Sequence, residues 1–236
     1  MSLSYVNFFS EWILKSRDPE IIPDDIAGGQ ASPIATAQGV NQLAAENDDT
    51  QSIIDDRQMI GLLRRIYLLH WQTEDTSTPS STAIPQAFSL WQELKDQEAS
   101  DPHQYAKSDS AEWLCLSSLF IWLHLIVYPK GVESPGIQLM VTKNLPHILR
   151  MNTQNTPNVH SLLIPLFFHG IASIQEHDRE AILESFLLLE PRIDFQLFHD
   201  FKSNVLKSWR RYDEGIDRSW NWIERAADDS GNPGLE

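Results

Sequence analysis

The sequence predicts an all-α fold, a compact single-domain array of about eight to ten helices around a central apolar helix over residues 113–128. Three observations predict it. Apolar side chains recur at three- and four-residue spacing in one segment after another, which is how a helix with 3.6 residues per turn lines one face. No run of alternating apolar and polar residues exceeds four or five, and neither Asn-Gly nor Asp-Gly occurs as a hairpin signal. The composition also supplies a core, because 42% of the 236 residues are hydrophobic, with eight Trp and ten Phe, so disorder of the whole chain is excluded.

The reading divides the chain into a helical segment over 1–26, a flexible loop over 27–50, the main domain over 51–226 and a disordered tail over 227–236. Tyr5 to Leu14 is dense in aromatics and ends where Arg17-Asp18-Pro19 breaks the pattern. From Ala27 to Thr50 the chain has almost no large apolar side chains and cannot offset its ordering entropy by burial. Met59, Leu62, Leu63, Ile66, Tyr67 and His70 then share one helical face, behind Asp55 and Asp56 at the positive end of the dipole. Thr73 to Thr82 reads as a polar loop. A helix from about Pro85 to Glu98 follows, with Phe88, Trp91 and Leu94 on one side.

Asp109-Ser110-Ala111-Glu112 has the spacing of a capping box directly before the long apolar run. That run is apolar on all faces, so Trp113 to Tyr128 is expected to be surrounded by other helices, and Pro129-Lys130-Gly131 to stop it. Pro135 to Met151 is a further helix, expected to kink near Pro146. Leu162 to Ile174 is another, which tolerates Pro165 in its first turn. Asp178 is expected to open a helix over Arg179 to Glu190. Asp194 is expected to cap the next, whose Phe198, Phe201, Val205, Trp209 and Tyr212 share a face. Trp220-Asn221-Trp222 is placed in a last short helix.

Charge narrows the function. Eighteen Lys and Arg against 33 Asp and Glu give a net charge of −15, and the only adjacent basic pairs are Arg64-Arg65 and Arg210-Arg211. A polyanion would be repelled, so no nucleic acid is expected to bind through this chain. The best membrane candidate, Trp113 to Tyr128, is too short and is interrupted by Ser117, Ser118 and His124, so no membrane span is expected. One Cys forbids an internal disulfide and makes an intracellular place, nuclear or cytoplasmic, the expectation.

Searches for chemistry come back mostly empty. The eight His include no i, i+4 pair and no HExxH, so neither metal nor cofactor is expected. The nearest approach to an aspartate-rich magnesium motif, Asp55-Asp56-Arg57-Gln58-Met59, lacks its third carboxylate and reads as a helix start. No GxSxG, phosphate loop or GxGxxG stands in context. Cys115 lies between Leu114 and Leu116 and reads as an inert core thiol. What remains is a concentration of aromatic and His residues on the apolar helices. Trp122, His124, Tyr128, Phe168, His169, Trp209 and Tyr212 are the candidate ligand-binding set, since polar tips among apolar walls build a pocket for a hydrophobic molecule. Ordinary core filling, with each tip satisfied by backbone, is the plainer account of the same residues.

Three segments carry a resemblance. Ser110 to Pro129 (SAEWLCLSSLFIWLHLIVYP), Leu162 to Glu190 (LLIPLFFHGIASIQEHDREAILESFLLLE) and Val205 to Gly215 (VLKSWRRYDEG) resemble the C-terminal regulatory domain of fungal zinc-cluster transcription factors. The matching positions are Ala111-Glu112, Pro165-Leu166-Phe167 with Gly170, Arg179 with Ile182-Leu183, and Trp209 with Asp213. The resemblance spans Asp55 to Trp222, and its motifs concern packing. It implies an all-helical domain that senses metabolites or partners and relays the signal to a DNA-binding module. The six-cysteine cluster that reads DNA cannot be built with Cys115 alone, which leaves either an excised regulatory piece or a stand-alone protein that kept the helical half.

Two functions from different classes follow. One is a regulatory, ligand-sensing domain whose apolar pocket around Trp122, Phe168 and Trp209 holds a hydrophobic small molecule or a partner protein helix. The alternative is a cofactor-free cyclase or isomerase of fungal secondary metabolism on the same fold, with His124, Tyr128 or His169 as hydrogen-bond donors to developing charge. A pure interaction module, taking an amphipathic helix in a groove, is a third.

Overall fold

A computed structural model describes residues 56–73, 83–99, 111–128, 130–153 and 162–222. Within them seven α-helices follow one another and no strand occurs: α1 (Asp56–Gln72), α2 (Ala83–Ala99), α3 (Ala111–Val127), α4 (Pro135–Thr153), α5 (Leu163–Ala172), α6 (Glu176–Leu189) and α7 (Phe195–Asp213). Short 3-10 turns at Gly131–Glu133 and Glu190–Arg192 link α3 to α4 and α6 to α7. The expected segment over 1–26, the loop over 27–50, the capping box at Asp109-Ser110 and the tail over 227–236 lie outside the described residues.

The central helix is the one its composition demands. Leu114, Cys115, Leu119, Ile121, Trp122, Leu123 and Leu125 on α3 are wholly buried, although they point in every direction around the axis. Such a helix is stable in water only when other helices enclose it, and α1, α2, α4 and α5 do so. Every residue of α5 is buried as well, and Pro165 sits in its first turn, where no backbone donor is needed. Pro146 lies inside α4, which runs on across it to Thr153.

The outer helices are one-sided. On α7, Phe201, Val205 and Trp209 face α5 and Phe198 meets Phe186 on α6, and the Asp194 carboxylate accepts from the Leu197 amide at 3.1 Å, the cap expected there. α6 differs from expectation at its start: it begins at Glu176 after an uncapped Gln175, so Asp178 lies in the first turn, buried, with His177 Nε2 3.2 Å from its carboxylate. One positive helix end accommodates both Glu176 and Asp178, so the second carboxylate need not be the cap.

Among the described residues the helices number seven: the expected segment over 1–26 lies outside them, and the last expected helix is a succession of turns. α7 closes with a Schellman motif: the Gly215 amide donates to Tyr212 O and the Ile216 amide to Arg211 O, both at 2.9 Å. Gly215 takes φ +71°, and Arg218 takes φ +57° three residues on. Two left-handed residues so close together reverse the chain instead of extending a helix. Trp220 and Trp222 are thereby swung back into the core, where both are buried.

Candidate functional site

The seven residues singled out from the sequence come to rest in four different surroundings. Trp122 and Phe168 are sealed in the core. Their rings stack at 4.9 Å, and Trp222 closes over them at 5.3 and 5.6 Å, so neither faces an opening. Phe167 and Phe201 complete the cluster edge to face. Edge-to-face and offset rings stabilise one another beyond their buried area.

Trp209 and Tyr212 sit one turn apart on α7 beneath a single arginine. The Arg179 guanidinium lies 5.4 Å from the Trp209 ring and 5.8 Å from Tyr212, and both its terminal nitrogens meet Asp213 at 2.9 Å. Its Nε donates to Ser173 O. Trp209 Nε1 donates to Gly170 O at 2.8 Å, and a methyl group at Gly170 would stand 3.1 Å from Val205, so the glycine sets how closely α5 and α7 approach. Arg179, Trp209, Asp213 and Gly170, separate in the sequence, are therefore one clasp. The Tyr212 hydroxyl points to Glu133 at 3.4 Å, and burial with that carboxylate raises its pKa.

His169 is fully buried in a polar strut across α3, α4 and α5. Its Nδ1 donates to Pro165 O at 2.7 Å, which leaves Nε2 to accept from Asn144 Nδ2 at 2.9 Å. Asn144 also donates to Ser117 Oγ, whose own proton goes to Leu114 O. Ser117 therefore has no proton aimed at His169, 3.5 Å away, and the pair is not built as a nucleophile and its base. Burial lowers the His169 pKa to about 4.

His70, which the sequence placed only on the buried face of α1, forms a second such knot. Trp122 Nε1 donates to its Nδ1 at 3.1 Å, so Nε2 carries the proton and donates to Asn221 Oδ1 at 2.9 Å. Burial, and then the charge of Arg218, lower its pKa to about 3. Trp220 and Trp222 lie 5.1 Å from the ring.

His124 and Tyr128 reach one opening, and Tyr212 reaches another. One helical turn apart at the end of α3, with rings 4.8 Å from each other, the first two line a recess of about 660 Å3 together with Lys130, Gly131, Ser134, Asp217 and Arg218. That volume falls within the ~300–1,000 Å3 of small-molecule sites. Among the described residues no hydrogen bond reaches the His124 ring nitrogens, the Tyr128 hydroxyl or the Ser134 hydroxyl. Desolvation alone lowers the His124 pKa. Gly131 permits the arrangement, because a methyl group on it would meet His124 Cδ2 at 2.9 Å.

The rim is ionic. Lys130 Nζ and Asp217 Oδ1 pair at 3.2 Å between largely exposed side chains, joining the 3-10 turn to the turns after α7. Beyond the pair lies a second recess of about 410 Å3 whose wall includes Glu133, Tyr212 and Asp213, and Lys130, Asp217 and Arg218 line both. The sequence read Pro129-Lys130-Gly131 only as a helix stop. The usable signal was a glycine three residues beyond Tyr128, where the chain has to pass an imidazole closely. A smaller slot of about 190 Å3, between Trp91, Trp113, Phe120 and Met140, ends at Ser117.

Among the described residues no three His, Cys, Asp or Glu gather as metal ligands, and no helix is long and apolar enough to cross a membrane. The profile of the fungal specific transcription factor domain matches residues 20–231, nearly the whole sequence, and the chain belongs to that family. Comparison with curated proteins and with solved structures finds no match. The clasp of Arg179, Trp209, Asp213 and Gly170 uses the same positions that carried the resemblance in the sequence, which gives those packing motifs a structural meaning.

Proposed function

We propose that the chain is a regulatory domain of the zinc-cluster activator type, acting inside the cell, and that its small-molecule site is the recess at the end of α3. The family supports the regulatory role. The observation that carries the site is a set of polar tips, His124, Tyr128 and Ser134, without a hydrogen-bond partner among the described residues, around a recess of ligand size. Half-buried polar groups normally have partners, and where His124 and Ser134 lack them beside one opening a ligand or ordered water supplies them.

The expected pocket among Trp122, Phe168 and Trp209 gives way in this reading to its neighbour. Trp122 and Phe168 stack on each other and Trp209 lies beneath Arg179, whereas His124 and Tyr128 of the same candidate set face the opening. A hydrophobic molecule would lie along the two rings, with its polar end toward Ser134 and the rim.

Incubating the purified chain with a cell extract, separating it by gel filtration and analysing the bound small molecules by mass spectrometry tests this. The expected result is about one equivalent of an unaltered compound that Gly131→Ala fails to retain, since the new methyl group displaces His124. Turnover beyond one equivalent would replace the sensor by the cyclase reading, with His124 as the donor. A compound retained equally by Gly131→Ala would sink the recess as its site.

A further inference from the structure

We infer that the molecule taken up by the recess is a monoanionic carboxylate with an apolar or aromatic body, and that its carboxylate displaces Asp217 from Lys130. The inference rests on the recess being the ligand site and adds the class of ligand and the way it is admitted.

Charge carries the argument. The protein is strongly acidic, with a net charge of −15, yet among the described residues the recess is lined by Lys130 and Arg218 against one carboxylate, that of Asp217. Across the Lys130–Asp217 pair the second recess adds Glu133, together with Asp213, whose charge Arg179 balances. An anion is thus favoured more on the first side of the pair than on the second. Ser134, which lines the first recess, directly precedes α4, so the positive end of that helix dipole reinforces the same sign.

The ion pair is also the weakest part of the wall. Its side chains are 75% and 70% exposed at 3.2 Å, and exposed pairs contribute only ~0–1 kcal/mol. A ligand carboxylate that reaches Lys130 while its body covers the His124 and Tyr128 rings exchanges one charge-assisted bond for another and gains apolar burial besides. One lysine, with its resident carboxylate released, matches one negative charge. Arg218 is already tied to Thr73 O and lies over Trp220, so it contributes field without having to move. The hydroxyls of Tyr128 and Ser134 can donate to the second carboxylate oxygen, and His124, held neutral at pH 7 by desolvation, presents one further donor.

The test is a fragment screen by two-dimensional NMR on the isotope-labelled chain, with equal numbers of acids, neutral amides and amines of naphthalene or indole size. Acids are expected to dominate the compounds that shift the 124–134 and 217–218 amides. Lys130→Met should weaken those acids about tenfold, the scale of a lost charge-assisted hydrogen bond. Asp217→Asn should strengthen them about two- to fivefold by removing the competitor. Both substitutions fall on exposed side chains, and an unchanged Tm keeps the comparison clean. Amides or amines that shift the recess as often as acids overturn the inference and leave the recess standing as a site. Acids unaffected by Lys130→Met overturn the exchange. A screen in which nothing shifts the recess refutes the site itself, and the inference with it.

Discussion

Among the histidines of the helical array, the contrast of His70 and His169 with His124 separates structure from site. His70 and His169 have each ring nitrogen engaged, which fixes opposite tautomers, and they are held neutral with pKa values of about 3 and about 4. His124, on the same helix as Trp122, is half-buried against Tyr128 and Gly131 with neither nitrogen bonded among the described residues. Residue type and apolar surroundings are alike in all three. What differs is the completeness of the partners, so a histidine in an aromatic setting points to function only where its hydrogen bonds are unfinished.

The largest expected effect tests the sealed region. Trp122→Ala removes the stack on Phe168 and strips His70 Nδ1 of its donor, and should cost about 4 kcal/mol in urea unfolding, whereas His124→Ala should cost under about 1 kcal/mol. Equal losses would abolish the distinction.

Acid tests it next. The unfolded histidines bind protons near pH 6.5 but His70 and His169 in the folded chain only near 3 and 4, so the unfolded state holds more protons between these values. Their contribution is fully present above pH 6.5 and is lost as pH falls below it, by several kcal/mol together at pH 4. Imidazole NMR shifts should show these two rings uncharged until the chain unfolds while His124 titrates in the folded state, at a pKa below 6.5. Titration of His169 in the folded protein near pH 6.5 would contradict the sealed strut.

Arg179→Met should cost about 2 kcal/mol, because it removes the bidentate bond to Asp213 and the cation over Trp209 while leaving His124 and its recess untouched. Asp194→Ala should cost about 1 kcal/mol through the lost cap of α7. The smallest effect belongs to the rim: Lys130→Met should change stability by under about 0.5 kcal/mol, so that any loss of ligand it causes is read as recognition.

Much of the fold was legible because its signals are local. An apolar run without a polar face can only be central, and α3 is; Asp194 precedes a one-sided stripe, and it caps α7. Trp220-Asn221-Trp222 was misplaced for the same reason, since local pattern says nothing of a chain reversal made by Gly215 and Arg218. The candidate site was legible only in part. His124 and Tyr128 announce a shared face by their spacing, yet Trp122 and Phe168 have the same aromatic signature, and only the return of Trp222 decides that they are closed over. Lys130 and Asp217, 87 positions apart in the numbering, become neighbours through tertiary packing alone.

The nine residues from Glu214 to Trp222 have one further consequence. They present Asp217 and Arg218 to the recess and, within four positions, insert Trp220 and Trp222 beside His70 and Trp122. Indoles whose centres lie 5.3 Å apart couple their electronic transitions, so the Trp122–Trp222 pair should give a near-ultraviolet dichroic band that depends on their mutual angle. If a ligand displaces Asp217 from Lys130 and the turns shift with it, the change in the angle between these two indoles should appear in that band, a readout available in the unlabelled protein.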